Sequence, residues 1–290
     1  VVLWVTLTAV GVNLVLAYML IFGHWGAPEL GVRGAAIASL SVQVLTFVIL
    51  ALYAGWLPEL RRFRLFQRFW RPDWQAMRQV FRLGWPIGVT GLAESGMFQA
   101  TALMMGWLGT VELAAHGITM EVAALSFMVH LGLSNAATVR AGRADGAGDM
   151  QGLRDGAKVG IAMSAGFGAA MVTLFLTLPE QIISLFLVEG KAGSAEIIAF
   201  GVKLLAMAAL FQMADAMQVM ALGLLRAIKD TRVPMLAAAL SYWVVGIPTA
   251  YLIGIQAGYG GVGLWAGLVT GLTVAAVTMM WRFWHRVARA

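Results

Sequence analysis

The chain has 290 residues, of which 60% are hydrophobic and 12% charged, with no cysteine and a mean hydropathy of +0.82. A soluble domain carries roughly 25% charged residues, so this supply cannot clothe a globule of this size. The composition excludes a secreted disulfide scaffold, a nucleic-acid module and a disordered tail, and points to an all-α polytopic membrane protein.

The chain opens at Val1 directly into an apolar run that reaches Phe22. With no basic leader and no small-residue cleavage site, this run reads as a helix of a longer protein rather than a signal peptide. A bilayer core of about 30 Å needs roughly 20 apolar residues per helix. By that measure the predicted spans are 1–22, 34–56, 84–107, 116–138, 157–178, 197–225, 235–255 and 262–281. No run alternates as a barrel strand would. The connectors between spans are short and rich in Gly, Pro and charge, where helices end.

The longest connector, 57–83, holds Arg61, Arg62, Arg64, Arg68, Arg71, Arg78 and Arg82. Pro72 and Asp73 could open a short helix there, with Trp74, Met77 and Phe81 on one face, suited to the headgroup layer. A solvated linker with snorkelling arginines is the other reading. If the spans alternate, 17 of the 20 basic residues fall on one side, including Arg140, Arg143, Arg154, Lys158, Arg226, Lys229, Arg232, Arg282, Arg286 and Arg289. Arg33 and Lys191 fall on the other, with Lys203 near it. The positive-inside rule then puts the basic connectors and the C-terminus in the cytoplasm. The net charge of +6 is a topology signal, not a nucleic-acid footprint.

Spans one and two resemble spans seven and eight. Tyr18 to Gly23 precedes Gly31-Val-Arg-Gly34, and Tyr251 to Gly254 precedes Gly261-Val-Gly263. The match implies a parent of twelve helices in two six-helix lobes, a repeat architecture common among secondary transporters. Residues 1–56 would then be the last two helices of the N-terminal lobe, 57–83 a cytoplasmic inter-lobe connector and 84–290 the complete C-terminal lobe.

Ionisable groups inside a bilayer cost at least about 2.5–3.5 kcal/mol each on insertion scales and mark function by default. Glu94, 12 residues beyond Arg82, stands roughly 18 Å along its helix from the cytoplasmic edge; Asp215, 11 residues before Arg226, stands roughly 16 Å from the same side. Two carboxylates from different helices thus reach similar depth. There they can bind a proton or, with oxygen neighbours, a sodium ion, the chemistry that couples transport to an ion gradient. Thr90, Glu94, Met97 and Thr101 make one stripe on their helix. Gln212, Asp215 and Gln218 recur every third residue on theirs, accompanied by Met213, Met217 and Met220, whose soft side chains suit varied apolar shapes. Helix-to-helix hydrogen bonding is the alternative role for the two acids.

Glu121, a turn into its span, is either an interfacial carboxylate or a cavity residue. His116 and His130 read as packing residues, with no metal ligation expected. Asp145, Asp149 and Asp155 read as solvated pairs or helix caps. Pro248 is expected to kink the seventh span, as a hinge or a static bend. There is no His pair at metal-ligand spacing and no G-x-x-x-x-G-K-[ST] loop, since position 185, upstream of Gly190-Lys191, is Leu. ATP hydrolysis and enzymatic chemistry are therefore not expected.

In four places the sequence resembles the multidrug and toxic compound extrusion (MATE) family of transporters. These are Gly84-Trp-Pro86-Ile-Gly88 with Glu94-Ser95; Met105-Gly106-Trp-Leu-Gly109 with Ala114-Ala115-His116; Gly132-Leu-Ser134 through Arg140, Gly142-Arg143 and Gly146-Ala147-Gly148-Asp149; and Phe211-Gln212, Asp215, Gln218 and Gly223-Leu-Leu-Arg226 with Asp230-Thr231. The resemblance implies a secondary active antiporter that exports amphipathic cationic drugs or xenobiotics by alternating access. The exchange is against protons or sodium ions, with no cofactor, ATP or nucleic acid. The protein would sit in the bacterial inner membrane among its lipids, as a monomer.

Glu94 and Asp215 match the family's coupling carboxylates, where a sodium ion would sit if one is used. Thr90, Met97, Thr101, Glu121, Phe211, Gln212 and Gln218 are the candidate cavity lining. Sodium-using members often carry Tyr at the position of Phe211, which here lacks that hydroxyl. Many members carry Asn at the position of Glu121. A lipid-linked saccharide flippase would favour basic residues in its groove, and a non-transporting scaffold or channel subunit would not need the two acids.

Overall fold

A computed structural model describes residues 1–57, 72–187 and 193–289. The chain divides into two compact units, Val1–Met77 and Arg78–Ala290. In the first, α1 (Val2–Phe22) ends at Gly23 in the left-handed conformation, and α2 (Val32–Trp56) returns beside it. Helix α1 buries none of its residues, and α2 buries only Gly34, Ala38 and Val42, one small-residue stripe at four-residue spacing. In lipid this is how two helices approach, because small residues let the backbones meet. A Cβ at Gly34 would collide with the Leu20 carbonyl, and Leu30 N–H closes the turn onto that same carbonyl at 3.0 Å.

The second unit holds most of α3 (Trp74–Leu108), then α4 (Thr110–Ala147), α5 (Met150–Thr177), the short α6 (Pro179–Ser184), α7 (Ser194–Ala227), α8 (Arg232–Gln256) and α9 (Gly260–Arg289). Seven described helices, α1, α2, α4, α5, α7, α8 and α9, are long and apolar enough to cross a membrane. The predicted span 84–107 lies in α3, which has the length at 35 residues. Its glycines, Glu94 and Gln99 dilute its hydropathy.

The separate headgroup helix expected from Pro72 is not found. Asp73 Oδ1 accepts the backbone N–H groups of Gln75 and Ala76, both at 3.0 Å. The helix it caps runs unbroken from Trp74 into the span. The connector's residues 58–71, and the Gly190-Lys191 pair, lie outside the described residues. Asp149 caps α5 by accepting Gly152 N–H at 2.8 Å, and Asp155 lies 3.8 Å from Lys158 on an exposed face.

Helix α7 is the axis of the second unit, with α4, α5 and α9 packed closely along it and α8 packed on α9. Ser134 of α4 donates to the Val219 carbonyl of α7 at 2.8 Å. Helix α8 is not a simple proline-kinked rod. Leu240–Gly246 and Tyr251–Gln256 are π-helical, with one α-helical turn, Ile247–Ala250, between them holding Pro248. At its end the chain turns tightly into α9: a Cβ at Gly263 would come within 2.7 Å of Gly254 Cα.

Past the end of α7, buried Asp230 takes Nε and Nη2 of Arg282, both at 2.8 Å, with Arg286 at 3.7 Å. Arg154 of α5 donates to the Val287 carbonyl in the last turn of α9 at 2.8 Å. Arg282→Met removes the guanidinium that donates twice to Asp230 Oδ2 and is expected to destabilise the fold by about 2 kcal/mol. Adding Asp230→Asn is expected to recover part of that loss, read by thermal unfolding in detergent as a double-mutant cycle.

Candidate functional site in the Arg78–Ala290 unit

The central helix α7 carries Gln212, Asp215 and Gln218 on one face. The two amides have no accessible surface, and Asp215 is 2% exposed. Gln218 Nε2 donates to the Tyr242 hydroxyl of α8 at 2.7 Å. Asp215 Oδ1, Gln218 Oε1 and both amide atoms of Gln212 have no hydrogen-bond partner among the described residues. A buried polar atom left unpaired costs about 1–3 kcal/mol. Such a row on a single helix face is therefore a strong departure from ordinary packing.

Glu94 approaches from α3, partly buried, next to Ala93, whose carbonyl accepts Trp243 Nε1 at 3.1 Å. It lies within electrostatic reach of Asp215, Arg226 and Tyr242. The two acids singled out by depth in the sequence thus lie within electrostatic reach of each other, on helices that touch through Phe98 and Phe211.

Phe211, one turn before Asp215, is buried in an aromatic chain. Its ring meets Phe98 of α3 at 5.9 Å and Trp265 of α9 at 5.5 Å, both edge-on. Trp265 Nε1 donates to His116 Nδ1 of α4 at 3.1 Å, while His130 Nδ1 bonds Ser164 Oγ of α5 at 2.8 Å. Both histidines therefore tie helices together.

The remaining candidates separate. Thr90 and Thr101 are buried on α3 and donate within it, to the carbonyls of Pro86 at 2.8 Å and Met97 at 2.9 Å. Met97 has no accessible surface and its sulfur lies beside Gly246 and Gly271. Glu121 stands on an exposed face of α4, and the structure does not bring it to Asp215. Met220 is fully buried, whereas Met213 and Met217 leave the Asp215 face. With Leu210, Met280, Trp281 and Trp284 they line an apolar groove of about 690 Å³ between α7 and α9.

Tyr242, Trp243 and Trp265 are the contributors that periodicity missed. The available signal was chemical: a phenol or an indole N–H inside an apolar span must find a polar partner there.

A family model for MatE matches residues 86–252, from Pro86 within α3 through the site into α8. The chain belongs to the MatE family. A relative in Rhizobium meliloti (strain 1021) named "Probable multidrug resistance protein NorM" is 45% identical over 289 residues, all of this chain and 62% of that protein. Another of that name in Agrobacterium fabrum (strain C58) is 41% identical over 283 residues, 98% of this chain and 61% of that one. The chain therefore spans about three fifths of these relatives' length. Among solved structures, the eukaryotic MATE transporter AtDTX14 superposes with a TM-score of 0.87 at 22% identity, over 99% of this chain and 63% of that one. The backbone of this MatE chain thus follows a fold already seen in MATE transporters, even where only about a fifth of residues agree.

Gln212 separates folding from function in this family member. Gln212→Leu removes two unpaired buried polar atoms in a similar volume. It is expected to leave thermal stability unchanged or raise it by about 1 kcal/mol, while lowering any activity that uses the α7 polar face. Loss of stability in that variant would mean that the amide is paired in the folded protein.

Proposed function

We propose that the chain is the greater part of a cation-coupled exporter of amphipathic, cationic drugs or xenobiotics working by alternating access. One observation carries the reading: the buried Asp215 has an oxygen without a partner among the described residues, on one helix face with the likewise unpartnered amide oxygens of Gln212 and Gln218. Three acceptors on one buried face suit a cation, supplied from outside as a proton or a sodium ion. Glu94, within electrostatic reach of Asp215 on a second helix, gives the proposed site a second carboxylate.

Helices α3 and α7 would shift between an ion-bound state and a substrate-facing state, each cation lowering the cost of the one conformation it fits. Apolar and methionine surfaces, such as the groove beside Met213 and Met217, suit a substrate of variable shape. Names of the NorM relatives and of the MATE structures support this reading.

In this reading residues 1–56 close an N-terminal six-helix lobe, 57–83 link the lobes and 84–290 form the C-terminal lobe. The relatives are longer than this chain, which spans 62% of the first of them. The basic connectors and the C-terminus face the cytoplasm of the inner membrane. A fluorescent protein fused after Ala290 is expected to fluoresce, and alkaline phosphatase at the same site to stay inactive.

The coupling test is dye efflux from vesicles holding the protein expressed from the gene that encodes it, with a proton or a sodium gradient imposed in turn. Efflux is expected with one gradient and is expected to fall at least tenfold in Asp215→Asn and in Glu94→Gln, the loss of about 1.4 kcal/mol or more of coupling. Equal efflux in wild type and both variants would overturn the role of the carboxylates.

A further inference from the structure

The π-helical turn of α8 touches both helices that carry the carboxylates. Tyr242 accepts the Gln218 amide on α7, one turn beyond Asp215. Trp243, the next residue, donates its indole N–H to the Ala93 carbonyl on α3, immediately before Glu94. Both bonds come from the segment Leu240–Gly246. A π-helical turn inserts one residue into the helix and turns neighbouring side chains to directions a regular helix does not offer, and such turns recur at functional sites.

The fit on α3 is specific. A Cβ at Gly96 would come within 2.7 Å of Trp243 Cζ2, so the indole lies flush against the backbone of α3 two residues after Glu94. Tyr242 itself has no accessible surface, and Glu94, Asp215 and Arg226 are the charged groups within electrostatic reach of it.

The chemistry of the phenol matters as much as its place. A phenolic oxygen that accepts one hydrogen bond keeps its own proton to donate and a second lone pair to share. With Phe211 on α7, the site has no hydroxyl one turn before Asp215, and Tyr242 brings one from a different helix.

Resting on the coupling role proposed above for Glu94 and Asp215, we propose that Tyr242 is a positioning residue of that pair. It fixes the spacing of the two carboxylates, with Trp243 as the second anchor, and lends its hydroxyl to the cation they bind. Helix α8 then acts as a gauge between α3 and α7, and its π-helical turn is the part that sets the gauge.

The test is Tyr242→Phe, which keeps the ring and removes only the hydroxyl, assayed beside Asp215→Asn and Trp243→Phe in the gradient-driven efflux experiment. The concentration of the driving cation that gives half-maximal efflux is expected to rise about tenfold in Tyr242→Phe, the scale of one lost hydrogen bond at a charged site. Trp243→Phe should move it in the same direction by less, and the KM for dye should stay within twofold in both. A purely packing role would lower thermal stability and yield without moving the cation dependence.

If Asp215→Asn abolishes gradient-driven efflux while Tyr242→Phe matches wild type in its cation dependence, the role of Tyr242 is overturned and the coupling reading stands. If Asp215→Asn is without effect, both fall together. Should Tyr242→Phe fail to fold, Gln218→Leu removes the same bond from the other side and is expected to give the same tenfold shift. Its absence there would overturn the proposal.

Discussion

The second unit is organised around a single constraint, the burial of polar groups on α7. Asp215, Gln212 and Gln218 are withdrawn from both water and lipid, which is tolerable only if helices close around α7 on every side that carries them. That is why α4, α5 and α9 pack along it and why Ser134 bonds directly to its backbone. The same closure leaves several of those polar atoms without a partner among the described residues, at a cost of about 1–3 kcal/mol for each. In the proposed function a bound cation would relieve that cost.

Apolar packing alone cannot choose among helix arrangements in a bilayer, because lipid tails are as apolar as leucine. Specificity falls to small residues and to isolated polar ties. Gly34 against Leu20, and Gly263 against Gly254, set the two tight turns. His130 with Ser164 joins α4 to α5, Trp265 with His116 joins α9 to α4, Gln218 with Tyr242 joins α7 to α8, and Trp243 with Ala93 joins α8 to α3. Helix α3, which carries Glu94, is held through side chains such as Phe98, Met97 and the Trp243 contact. At the end of α9, with the Asp230–Arg282 pair and the Arg154–Val287 bond, the ties become ionic.

The sequence and the structure part company where local pattern and packing obey different rules. Span positions came directly from hydropathy, since a helix in lipid must satisfy its backbone internally and be apolar over a fixed length. Where the helices end did not: α3 begins at Trp74 because Asp73 caps it, and hydropathy says nothing of a cap. The seventh span held a visible proline, but its two π-helical stretches left no mark in the pattern. Glu94 and Asp215 stood out because acids are rare and costly at that depth. Thr90, Met97 and Thr101 shared a stripe with Glu94, yet a stripe records only direction from the helix axis. Their hydroxyls bond inside α3 and the methionine packs on glycine.

By itself, then, the sequence determined that this is a helical membrane chain and where its long apolar helices lie, and it singled out two carboxylates expected at depth. These depend on composition, spacing and depth along one helix, all properties of a single segment. That Glu94 comes within electrostatic reach of Asp215, that Gln212 has no partner among the described residues, that Glu121 stands on an exposed face and that Tyr242 and Trp243 bridge the two acidic helices was decided only by tertiary structure. Each depends on how one helix is rotated and shifted against another, and in a bilayer that choice rests on a few glycines and single hydrogen bonds rather than on any pattern along the chain.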